Sequence, residues 1–99
     1  MKVRDLAVVR PGDKSDNCHF AIVANDEAAA DELWTTLTPD TVRVAVGAAT
    51  DVEVERYRLP AINGIVIVVH DVLEGGAGYG WALEKRYPLA ERMMEIAVS

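Results

Sequence analysis

The sequence predicts an α+β domain, an antiparallel sheet with helices on one face, in the order βαββαβ. Three observations carry this. A β-favouring run at residues 18–24 leads directly into a helical segment with an acidic first turn. An alternating segment at 51–59 and a β-branched run at 62–70 are joined by turn-forming residues, the pattern of an antiparallel hairpin. A second helical stretch then leads to a last apolar segment, whose placement as a strand at 92–98 closes the sheet.

Taken in order, residues 3–10 (VRDLAVVR) suit an edge strand or an extended lead-in, with Leu6, Val8 and Val9 as its apolar positions. Pro11-Gly12 followed by Asp13-Lys14-Ser15-Asp16-Asn17 reads as a turn: proline presets φ, glycine permits positive φ, and short polar side chains bond nearby backbone. Cys18 to Ala24 is the first strand. Asn25 or Asp26 is placed to cap a helix from about 26 to 37, in which Ala30, Leu33, Trp34 and Leu37 form one apolar stripe suited to a sheet. Pro39 sits where a first helical turn tolerates proline, so a short second helix over 41–46 ends near Gly47.

In the segment 51–59 the apolar positions Val52, Val54, Tyr57 and Leu59 change face near Arg56, which predicts a β-bulge there. Residues 62–70 (INGIVIVVH) read as a central strand buried on both faces. Glycines at 75, 76, 78 and 80 break regularity before a short helix that starts near 78. Residues 89–98 are helix-compatible by propensity, but closing the sheet assigns a strand to 92–98. This is the ferredoxin-like split βαβ pattern.

A chain of 99 residues makes one domain, and 51% hydrophobic with 26% charged residues is ordinary globular composition. The net charge of −6 opposes phosphate backbones and anionic lipid, so neither nucleic acid nor membrane is an expected partner. The apolar run 65–69 is far short of the ~20 residues a spanning helix needs, and a cytoplasmic location is expected. Cys18 is the one cysteine. It allows no internal disulfide, and with His19 it offers too few ligands for zinc. Neighbours on a strand face apart, which also disfavours a Cys18–His19 dyad.

The glycine run lacks the final glycine of a dinucleotide fingerprint, since Trp81 stands there, and Gly12-Asp13-Lys14-Ser15 lacks the spacing of a phosphate loop. Two readings of the remaining chemistry stand side by side. Asp13, Lys14 and Asp16 are either turn-capping groups or catalytic ones, and His70 is either a hydrogen-bonded structural histidine or a functional group at a strand end. Gly75 and Gly76 either pack a turn or let backbone N–H groups approach an anion.

Arg4-Asp5-Leu6-Ala7 leading to Arg10-Pro11-Gly12-Asp13-Lys14-Ser15-Asp16-Asn17 resembles the signature of the AtuA-like (acyclic terpene utilisation) small ferredoxin-fold domain family. Glu55-Arg56-Tyr57-Arg58-Leu59-Pro60, the strand ending at His70, Gly75-Gly76 and Met94-Glu95-Ile96 follow in the family's order. The chain departs from that signature at Pro11, Ser15 and Cys18 to Phe20. The resemblance implies the separately encoded form of the domain, a small subunit working with a large AtuA-like partner in acyl-CoA or related carboxylic-acid catabolism, with hydration or dehydration of an acyl thioester as the reaction. On that reading Asp13, Lys14 and Asp16 are the catalytic candidates, and Arg10, Asn17, His70, Gly75 and Gly76 the substrate-binding ones. A coenzyme A thioester is the implied substrate class, and no resident cofactor or metal is expected. The alternative is a non-catalytic scaffold or homo-oligomeric interaction module. An autonomous enzyme would require Asp13, Lys14 and His70 to converge.

Overall fold

The computed structural model describes residues 1–14, 17–70 and 88–98, with the side chains of Asp13 and Lys14 outside the description. A helical turn, α1 (Val3–Leu6), runs straight into β1 (Ala7–Lys14). The chain continues through β2 (Asn17–Ala24), α2 (Glu27–Thr36), α3 (Pro39–Val46), β3 (Val54–Leu59) and β4 (Gly64–Val69), and residues 88–94 are helical. The four strands form one antiparallel sheet in the order β1-β2-β4-β3, with α2 and α3 on one face. This is the expected α+β, ferredoxin-like class.

The helices form where local chemistry predicts them. Asp26 caps α2 by accepting from the Ala29 amide at 2.8 Å, and Thr38 caps α3 by accepting from Thr41. Pro39 opens α3, where its missing N–H costs nothing. Gly47 ends it at φ 71°, a left-handed conformation that favours glycine. Ala30, Leu33 and Leu37 are fully buried, meeting Phe20, Ile22, Ile65 and Ile67 from the two inner strands. Each such large side chain contributes about 1.5–3 kcal/mol by leaving water.

The edge beside β2 is not filled as expected. Residues 92–94 are helical, and Ala97 makes only an isolated bridge to Lys2. The edge strand is β1, so the strand that a βαββαβ chain supplies last is here supplied first. Propensity had the C-terminal segment right. Leu89, Ala90 and Met93 are buried at helical spacing, and the place beside β2 is already taken by β1. The two ends of the chain meet instead: Val98 donates to Met1 O at 2.7 Å, Val3 donates to Ile96 O at 3.0 Å, and Arg4 pairs with Glu91 and Glu95.

A second correction concerns Pro11-Gly12. These residues lie inside β1, paired with Phe20 and His19, and Lys14 pairs with Asn17. Pro11 is tolerated because β1 is an edge strand. At Gly12 a Cβ would stand 2.1 Å from Nε2 of His19, so the imidazole lies across the glycine and a side chain there would have to displace the ring.

The third correction is the bulge at Arg56. β3 pairs with β4 in unbroken register from Val54↔Val69 to Leu59↔Gly64. Its inward positions are Val54, Arg56 and Arg58, and its outward ones are Glu55, Tyr57 and Leu59. The arginines face inward because α2 receives them. Arg56 lies 4.0 Å from the Trp34 ring centroid and donates to the carbonyls of Trp34 at 2.6 Å and Leu37 at 3.0 Å, at the helix end where cations are favoured. Arg58 pairs with Asp31 on the same helix at 2.9 Å. β4 is accordingly sealed only inward: Ile65, Ile67 and Val69 are buried, while Val66 and Val68 are half-buried. The helix expected from 78, with Gly75 and Gly76, falls outside the described residues.

Replacing Arg56 by methionine keeps an apolar stem on Trp34 and removes the charged donors from two carbonyls. Urea unfolding of Arg56→Met is expected to show a loss of about 2–3 kcal/mol.

Candidate functional site

The register assigns side chains to the outer face of the sheet row by row. One row is Gly12, His19, Val68 and Glu55; the next is Arg10, Ala21, Val66 and Tyr57; a third is Val8, Val23, Gly64 and Leu59. Among the described residues no helix covers this face, and its apolar members are conspicuous. Val8, Val23, Tyr57 and Leu59 are 41–55% exposed, and Ile62 in the β3–β4 connection is 56% exposed.

At one end of this face the strands bring together four functional side chains. His70 follows β4 and donates its backbone N–H to Glu53 O at 3.0 Å, which sets its ring beside the outward side chains of β3. Its Nε2 stands 2.8 Å from Glu55 Oε2 and 3.1 Å from Glu53 Oε2. The Tyr57 hydroxyl donates to the other oxygen of Glu55 at 3.1 Å. Glu55 and Tyr57 share this face because alternate residues of an unbroken strand point the same way, and Glu53 immediately precedes the strand, its carbonyl accepting from the His70 amide.

Electrostatics follow from these bonds. The His70 hydrogen bond, and after it that of Tyr57, holds the Glu55 carboxyl below the usual carboxylate range. The Glu55 carboxylate in turn raises the Tyr57 phenol, through the hydrogen bond first and its charge second. Chemically the cluster is an ionised carboxylate with two donors, suited to holding a proton on an imidazole or a cation between two carboxylates.

Of the residues singled out in the sequence, His70 lies in this cluster. Arg10 is exposed on the outer face in the same row as Tyr57, and Asn17 opens β2 opposite Lys14. Asp13 pairs with Cys18, which pairs with Val69, so two strand spacings, about 10 Å, separate the Asp13 backbone from β4. Asp16, Gly75 and Gly76 lie outside the described residues. Cys18 is buried in the core with His19 on the other face, and they form no dyad. Glu53, Glu55 and Tyr57 went unrecognised in the sequence. The available signal was the strict alternation of 53, 55 and 57, obscured by assigning Tyr57 and Leu59 to the core.

A sequence profile described as the AtuA ferredoxin-like domain matches residues 1–86. Comparison with curated proteins and with solved structures returns no match.

The Glu55 carboxyl, followed by carbon-detected NMR, is expected to titrate below the ordinary value of about 4.3. Its midpoint should rise toward that value in His70→Ala and rise less in Tyr57→Phe. Because the folded-state value is depressed, the stability these bonds contribute is present above the ordinary carboxylate range and lost as pH falls through the folded value. An unchanged midpoint in both variants would contradict the geometry.

Proposed function

The chain belongs to the AtuA ferredoxin-like domain family, and from that premise we propose that it is the small subunit of a two-component enzyme of acyl-CoA or related carboxylic-acid catabolism. Its partner on this reading is a large AtuA-family subunit, and the reaction is hydration or dehydration of an acyl thioester. The observation that carries the proposal is the outer sheet face, where Val8, Val23, Tyr57, Leu59 and Ile62 leave apolar surface in water next to a charged cluster. An apolar patch rimmed by polar groups is the form of a protein interaction surface.

Two features suit that setting. Arg10 to Lys14 close the edge strand β1 and Asn17 opens β2, at one end of the sheet where a partner can reach them. His70, Glu55 and Arg10 line the same outer face and would be enclosed when a partner covers it. In the assembled enzyme Asp13, Lys14 and Asp16 are proposed to act on the substrate, with Arg10, Asn17, His70, Gly75 and Gly76 binding its polar end. No described helix is long and apolar enough to cross a membrane.

Co-expression with a large AtuA-family protein and co-purification test the reading. The pair is expected to co-elute, and Val23→Glu on the outer face should abolish association while leaving the fold intact. Asp13→Ala and Lys14→Ala should reduce turnover of the complex while shifting the stability of the isolated chain by less than about 0.5 kcal/mol. A chain that remains a monomer beside its partner would overturn the proposal. A stable homo-oligomer by light scattering, with no affinity for the large protein, would favour the scaffold instead.

A further inference from the structure

We propose that Glu53, Glu55 and His70 form a binding site for one divalent metal ion of the zinc class. The inference stands on the geometry of the cluster and does not depend on the subunit reading. No local pattern points to it, because Glu55 lies on β3, Glu53 just before it and His70 just after β4, and the β3–β4 pairing brings together positions 15 and 17 residues apart.

Each of the three residues offers one ligand atom, Nε2 of His70 and a carboxylate oxygen of each glutamate, and all three atoms lie within 4.8 Å of one another. Donors at about 2.1 Å from a common tetrahedral centre stand about 3.4 Å apart. The separations of 2.8 Å and 3.1 Å from His70 Nε2 to the two carboxylates are shorter by only a few tenths of an ångström. A small rotation of the glutamate side chains, both partly exposed, opens the cluster enough to admit an ion. The backbone needs no movement, since Glu53 and Glu55 are already on one side of the strand end and the His70 amide is bonded to Glu53 O.

Two further features fit a cation. The Tyr57 hydroxyl engages Oε1 of Glu55 and leaves Oε2 directed at His70, the arrangement in which an outer hydrogen bond orients a ligating carboxylate. With neutral imidazole the cluster carries two negative charges, which a divalent ion neutralises and a single proton on His70 only halves. One imidazole with two carboxylates selects metals that accept nitrogen, zinc foremost, over magnesium or calcium, which prefer oxygen alone. Among the described residues three donors meet here, and a tetrahedral ion held by them has a fourth position for a further oxygen ligand.

The test is calorimetric titration of the chelator-treated 99-residue chain with ZnCl2, with MgCl2 as the control. One equivalent of zinc is expected to bind, and magnesium to give no comparable heat. Glu55→Gln should weaken zinc at least tenfold and His70→Ala should abolish the site. Long-range 1H–15N spectra of the unmodified protein provide a check that needs no variant: one equivalent of zinc should shift the His70 ring nitrogens and leave those of His19 in place. The proposal is overturned if no zinc binds, if magnesium binds as tightly, if both variants keep full affinity, or if zinc shifts His19 instead.

Discussion

The stacking of Arg56 on Trp34, with its guanidinium on the last carbonyls of α2, sets which way every side chain of β3 faces. A strand has two faces and a one-residue change exchanges them. With Arg56 and Arg58 turned toward α2, Glu55, Tyr57 and Leu59 have no choice but the outer face. Partly desolvating arginine beneath a helix would ordinarily cost free energy. Here the desolvation is offset by an aromatic face, two carbonyls at the favourable end of a helix dipole and the Asp31 carboxylate. The price falls on the outer face, which must carry Tyr57 and Leu59 in water.

That outer face is where the chemistry of the molecule gathers. The inner face is sealed by α2, α3 and the helical residues 88–94, and the ends of the chain are tied to one another by Val98–Met1 and Arg4–Glu95 contacts. Supplying the edge strand from the N-terminus has a consequence for the site. It places Arg10, and the glycine over which His19 lies, on the same surface as the His70 cluster, with Ala21, Val66 and Val68 as an apolar floor between them. A partner seated on this floor would bring both polar borders out of water together, strengthening their electrostatics.

How much of this was legible depended on whether the signal was local. The cap at Asp26, Pro39 at a helix start, Gly47 at a helix end and the β3–β4 hairpin are short-range chemistry, and each formed as expected. Pro11-Gly12 is a local turn signal in a non-local setting, since the pair lies in an edge strand and the ring of His19 on the neighbouring strand lies over the glycine. The C-terminal segment had the helical spacing of Leu89 and Met93, but the argument for a strand assumed the sheet edge was vacant. At β3, hydrophobicity pointed Tyr57 and Leu59 inward. Only knowledge of Trp34 and Asp31 across the core reverses it, and with it Glu53, Glu55 and Tyr57 become legible as one group with His70.

The facing of β3 is the claim on which the site rests, and nuclear Overhauser contacts in the unmodified protein test it most directly. The account predicts cross-peaks from the Trp34 indole to the Arg56 methylenes, and from the Tyr57 ring to the Val66 methyls opposite it. Cross-peaks from the Tyr57 ring to Trp34 or Leu33 would place the tyrosine in the core and contradict the account.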